Sequence, residues 1–135
     1  MGFVHRDIKP GNIMYRSDGT PVLVDMGLLK RVGSTEDFIA RKDPVLSVVD
    51  GKAVGVGTPR YAAPEQFIGG EISPAADIHA LGMLINECFK GELKGCWERI
   101  VARATSSIPE RRYRDVSEFM RAVRHRHWHV FGIAV

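Results

Sequence analysis

Long apolar runs are missing from this 135-residue chain: no stretch approaches the roughly twenty consecutive apolar residues that cross a bilayer. Cysteine is scarce. The two present, Cys88 and Cys96, lie eight apart with no partner pair, and a disulfide would need an oxidising compartment. They predict reduced thiols in a cytoplasmic protein. The start carries no basic stretch followed by an apolar one, which predicts no secretory signal. Internal repeats and low-complexity segments are absent too. A charge excess on the body of the chain is also lacking. Of 19 basic residues, Arg121, Arg124 and Arg126 fall within residues 121–135, where there is no acid; the remaining 16 equal the 16 acids. A nucleic-acid-binding fold would carry its basic patch on the body, so that class is disfavoured. What remains, with 44% apolar and 26% charged residues, is an ordinary globular composition and length for at most one domain.

Chemistry is concentrated near the start, in His5-Arg6-Asp7-Ile8-Lys9-Pro10-Gly11-Asn12. A carboxylate that orients a hydroxyl, a lysine that meets a phosphate and an amide that holds a metal are what phosphoryl transfer requires, because positioning and charge neutralisation do most of that catalysis. Two further motifs follow in order. Asp25-Met26-Gly27 comes eighteen residues after Asp7. Gly57-Thr58-Pro59-Arg60-Tyr61 then leads into Ala63-Pro64-Glu65.

The three motifs together resemble the C-terminal lobe of a eukaryotic-type protein kinase over roughly residues 1 to 125. Lys9, two after Asp7, resembles the serine/threonine branch, and residues 57–66 resemble its bacterial members. The expected fold is therefore a mostly α-helical kinase C-lobe with a small β-hairpin. The N-terminal lobe, with its glycine-rich loop and β3 lysine, is not among these residues. The resemblance implies ATP and Mg²⁺ as cofactors and a protein substrate. By that likeness Asp7 is the catalytic base, Lys9 meets the transferred phosphoryl, and Asn12 and Asp25 hold the metal. Arg6 would pair with a phosphate on the following segment. Thr58 would lie beside Asp7, Asp77 would hold the catalytic-loop backbone, and Glu65 would pair with Arg112. Two other readings stand beside this one: a non-catalytic, pseudokinase-like interaction module, and more weakly a small-molecule phosphotransferase, which residues 57–65 disfavour.

Local patterns supply the elements. Residues 13–15 and 21–24 read as two strands around a Ser17-Asp18-Gly19-Thr20 turn, a hairpin that brings Asn12 and Asp25 to its open end. Met26 stands where the family usually has Phe, and its adaptable side chain suits the same slot. Residues 28–62 have no period and read as a long functional loop, with Ser34, Thr35 and Ser47 as candidate phosphorylation sites. Pro64 opens a short helix. Ser73 and Pro74 begin another over 75–89, apolar nearly all round and so expected to be buried on most faces. His79 within it reads as a structural histidine. The near absence of anything between residues 90 and 95 predicts exposed apolar surface around that helix. Helices over about 96–106 and 115–124 follow, the first with a Trp97, Ile100, Val101, Ala104 stripe, the second with Val116, Phe119, Met120 and Val123 on one face.

Residues 126–135 form a basic, then apolar tail. Alternating His125, His127 and His129 suggest a metal, but nothing nearby supplies further ligands. The tail reads either as a solvated basic end or as the juxtamembrane start of a span in a longer parent, since Trp and basic residues favour the cytoplasmic interface.

Overall fold

The computed structural model describes residues 2–26, 28–32, 46–49, 52–56, 58–68 and 72–125, the two short runs at 46–49 and 52–56 as backbone only. Three α-helices dominate it: α1 (Ala75–Cys88), α2 (Cys96–Ala104) and α3 (Val116–Arg124). Among the described residues the strands make three separate antiparallel pairs. β1 (Phe3–Val4) pairs with β4 (Lys30–Arg31), β2 (Ile13–Tyr15) with β3 (Pro21–Leu23), and β5 (Leu46–Val49) with β6 (Lys52–Val56).

The β2–β3 hairpin follows its turn chemistry. Gly19 takes φ +82°, and the Asp18 carboxylate accepts from the Thr20 amide at 2.8 Å. The register Ile13 to Leu23 puts Asn12 opposite Val24, whose amide donates to the Asn12 carbonyl at 2.8 Å. Residues 28–62 are not one long loop. β4 returns to pair with β1, and β5 with β6 leaves only Asp50-Gly51 between Val49 and Lys52. Asp-Gly is the standard two-residue hairpin signal, and β-branched residues flank it. Ser34 and Thr35 lie outside the described residues, as do Gly27, the side chain of Ser47 and the tail from Arg126 onward.

α1 is the hub. Ala76 packs with Val4 and Ala63, Ile78 with Ile100, Ala104, Tyr113 and Phe119, and Ala80 with Ile8 and Tyr61. Three clusters thus meet on one helix. Its burial is confined to the first two turns. Beyond Gly82, Met83, Leu84 and Ile85 are only half-buried and Cys88 is exposed. The apolar sequence overstated the enclosure because α2 covers one flank of the later turns and the other meets only the partial packing of Met83 and Leu84 on the cluster of Ile8, Tyr61 and Leu23. The apolar surface expected there is present, and Phe89 is exposed as well. Both cysteines are free thiols. Ser73 does not cap α1 by the usual bond; its hydroxyl accepts from the Ala75 amide at 3.3 Å. In α3, Asp115 is the N-cap, accepting from the Glu118 amide at 2.8 Å. Phe119 is buried, whereas Val116 and Met120 are exposed, so the buried stripe runs through Phe119, Ala122 and Val123. Among the described residues no helix is long and apolar enough to cross a membrane.

α1 meets α2 most closely at Gly82. A Cβ there would stand 2.8 Å from the Thr105 methyl and 2.9 Å from the Ala104 Cβ. Gly82→Leu is expected to lower unfolding free energy by about 1–3 kcal/mol through overpacking, outweighing the roughly 1 kcal/mol helix-propensity gain of losing a glycine. Urea titration of both chains measures the difference.

Candidate active site

The loop between β1 and β2 is shaped by its backbone partners. Arg6 adopts φ +69°, a conformation that costs a non-glycine residue energy. Every polar part of it is engaged. Its amide donates to Asp77 Oδ1 at 2.9 Å, beside the His5 amide on Asp77 Oδ2 at 2.7 Å. Its carbonyl accepts from Gln66 Nε2 at 2.9 Å, and its buried guanidinium donates through Nε to the Leu28 carbonyl. The Gln66 Oε1 in turn accepts from the Ala63 amide at 3.0 Å. His5 completes the frame. Its Nδ1 accepts from the Asp7 amide at 3.3 Å, which assigns the proton to Nε2, 3.2 Å from the Val24 carbonyl. Gln66 was not singled out from sequence; a glutamine directly after a Pro-Glu helix start offers no signal that it reaches sixty residues back.

Held this way, the loop presents Asp7, Lys9 and Asn12. The Thr58 hydroxyl donates to Asp7 Oδ1 at 2.7 Å. Lys9 Nζ donates to Thr58 Oγ1 at 2.8 Å and stands 3.0 Å from Asp7 Oδ2. Asn12 Nδ2 donates to the Asp7 carbonyl at 2.8 Å and to Oδ2 at 3.1 Å. Burial pushes the Asp7 carboxyl up, but the Thr58 hydroxyl, the Lys9 ammonium and the Asn12 amide more than offset it and hold the group below its usual range. At neutral pH Asp7 is an ionised acceptor.

Asp25 is exposed at φ +59°, one residue beyond the Val24 that pairs with Asn12. Both side-chain bonds of Asn12 use its nitrogen, leaving Oδ1 as a hard oxygen donor beside the carboxylate strand end. That donor set suits Mg²⁺, which binds through one or two protein oxygens and completes its shell with phosphate and water. Among the described residues no three His, Cys, Asp or Glu side chains gather around a point.

Glu65 and Arg112 form a two-pronged pair. Arg112 Nη1 reaches Glu65 Oε1 at 2.6 Å, and Nη2 reaches Oε2 at 2.8 Å. Arg112 also donates to the Ala75 and Ser106 carbonyls at 2.9 and 2.8 Å. Burial raises the Glu65 carboxyl, but the Arg112 bonds prevail and hold it below its usual range. His79 is buried with Nδ1 3.1 Å from the Tyr61 carbonyl, a satisfied core histidine whose burial lowers its affinity for a proton. Tyr61 anchors the same segment to α1, its hydroxyl donating to Glu87 at 2.5 Å, with Arg60 3.3 Å from the other carboxylate oxygen.

With this geometry in place, the chain belongs to the protein kinase domain family, whose model matches residues 1–126. The curated proteins it resembles are bacterial. The serine/threonine-protein kinase drp72 of Corynebacterium efficiens is 34% identical over 110 residues, covering 82% of this chain and 19% of that protein. PknA of Mycobacterium tuberculosis, a serine/threonine-protein kinase, is 36% identical over 91 residues, which cover 67% of this chain and 18% of the relative. PknB of Mycolicibacterium smegmatis, a third such kinase, is 30% identical over 128 residues, 90% of this chain and 19% of its own length. The chain thus spans about a fifth of the length of the curated relatives it matches.

Two stability predictions follow from the buried carboxylates. Arg112→Met is expected to cost about 3–5 kcal/mol because it strands Glu65 as a buried charge, and Glu65→Leu/Arg112→Met to recover most of that loss; chemical denaturation of the single and double variants checks it. Asp7 and Glu65 have native values below their unfolded ones. The stability they contribute is complete above the ordinary carboxylate range and is lost as pH falls through the lowered native values. Acid unfolding followed by circular dichroism should therefore set in below about pH 5, with a shallower slope in the double variant.

Proposed function

We propose that this chain is the catalytic-loop portion, the C-terminal lobe, of a protein serine/threonine kinase that transfers the γ-phosphoryl group of ATP to a hydroxyl of a protein substrate. The observation that carries this reading is the Asp7–Thr58–Lys9 cluster: a hydroxyl donates to an ionised carboxylate at 2.7 Å with an ammonium 2.8 Å from the same oxygen. A substrate Ser or Thr meeting Asp7 in the same way would be oriented for in-line attack. The bond from its oxygen to the γ-phosphorus forms, the bond to the ADP oxygen breaks, and the hydroxyl proton passes to Asp7. Lys9 offsets charge on the transferred group. Asn12 Oδ1 and the Asp25 carboxylate would hold Mg²⁺, which neutralises charge on the phosphate oxygens when bound. Asp77, Gln66 and the Glu65–Arg112 pair keep the loop and residues 58–66 in register with one another. Use of ATP puts this work in the cytoplasm, on the inner membrane face if a longer parent carries a span after the basic tail.

The test is phosphoryl transfer from labelled ATP to a Ser/Thr protein substrate, measured on the native polypeptide that contains this segment. Asp7→Asn should cut kcat by about 10²–10⁴-fold with little change in KM for ATP. The 135-residue chain alone, whose sequence holds no glycine-rich loop, should turn over little or no ATP. Equal rates for the native protein and Asp7→Asn would overturn the catalytic reading and leave a non-catalytic interaction module.

A further inference from the structure

The α2–α3 side of the fold holds a concave feature whose lining includes none of the residues assigned to phosphoryl transfer. A cavity of about 260 Å³ opens between α2 and α3. It is lined by the apolar Ile100, Ala122 and Tyr113 ring and by the cationic Arg99 and Arg103, with His125 beside them. Arg99 and Arg103 stand four apart on one face of α2, an arrangement that costs a helix energy unless anions answer it. Only one carboxylate does so among the described residues. Glu118 meets Arg103 at 2.7 Å, and its other oxygen accepts from the Arg114 amide at 2.7 Å. Arg103 is further fixed by stacking over Tyr113, 4.2 Å from the ring centre. Arg99 makes no ion pair among the described residues; the one described bond of its side chain is a weak one to the Cys96 sulfur at 3.7 Å.

We infer that this cavity is a binding site for a small phosphate-bearing molecule with a flat apolar body. A phosphate presents oxygens on several sides, can engage two guanidinium groups at once and carries more negative charge than a carboxylate to answer both. The Arg103 guanidinium, already aligned by Tyr113 and Glu118, loses little freedom on binding, and Arg99 supplies the uncompensated charge. The flat body rests on Ile100 and Ala122 and against the Tyr113 ring. The inference is independent of the kinase reading.

Cys96 lines the cavity and Cys88 does not, and both are free, so the chain carries its own reporter and its own control. The probe is phenyl phosphate. The readout is the rate of iodoacetamide alkylation of Cys96 relative to Cys88, followed by mass spectrometry on the 135-residue chain. A bound anion both shields the Cys96 thiol and disfavours its thiolate. The ratio should fall saturably with phenyl phosphate and respond less to inorganic phosphate. In Arg99→Gln the concentration needed should rise by about tenfold or more, through loss of a charged hydrogen-bonding partner. Arg99 is exposed, so that variant keeps the fold; Ala122→Leu, which fills the apolar lining, should abolish protection separately. An unchanged ratio, or protection that persists in Arg99→Gln, would overturn the site. Equal protection by inorganic phosphate would overturn the requirement for an apolar body.

Discussion

The bond that the rest of the site depends on is a carboxylate accepting two backbone amides. Asp77 projects from the first turn of α1 and takes the amides of His5 and Arg6, some seventy residues away in the chain. Burial pushes its carboxyl up, and the two amides offset that only in part. What it stabilises is a left-handed Arg6, a conformation that persists only when the surroundings over-determine it. The side chains of Asp77 and Gln66 and the carbonyl of Leu28 do so from three directions. The direction in which Asp7 points follows from that one residue.

A second constraint ties the other motif to the same helix. The Glu65–Arg112 pair closes the segment after Thr58 onto the turn before α3, and Arg112 also bonds the carbonyl of Ala75 at the start of α1. One helix start therefore carries both anchors, Asp77 for the loop holding Asp7 and Ala75 for the segment holding Thr58. A buried pair of this kind is a poor source of net stability, since the desolvation of both charges offsets most of their attraction. Its worth lies in direction: a two-pronged contact fixes orientation as well as distance, and Thr58 reaches Asp7 at 2.7 Å as a result.

Electrostatics at the centre is self-contained. Asp7 is surrounded by donors from Lys9, Asn12 and Thr58, which keep it ionised despite partial burial. An ionised carboxylate with an ammonium 3.0 Å away therefore stands at the centre of the loop. Between α2 and α3 the charge is not answered among the described residues: Arg99 lines a cavity there and meets no described carboxylate.

Much of this was legible in order along the chain. The β2–β3 hairpin followed from Asp18-Gly19 between β-formers and the α2 stripe from its spacing, because turn residues and hydrophobic periods act over a few residues; Asp7, Lys9 and Asn12 were named from motif and chemistry, and the structure brings their side chains together. The β5–β6 pairing had an equally local signal, the Asp50-Gly51 sequence between β-branched residues. Other features had no local signal. Gln66 reaching Arg6, Tyr61 bonding Glu87 and the cavity between α2 and α3 each join segments that only the packed core brings together. The burial of α1 was misjudged for the same reason: composition states how apolar a helix is, but which of its faces finds a neighbour is decided by packing. Sequence alone determined which groups are available for chemistry and the local elements that carry them. Tertiary structure decided which of those groups meet, because a side chain's partners are set by contacts across tens of residues that no short-range preference encodes.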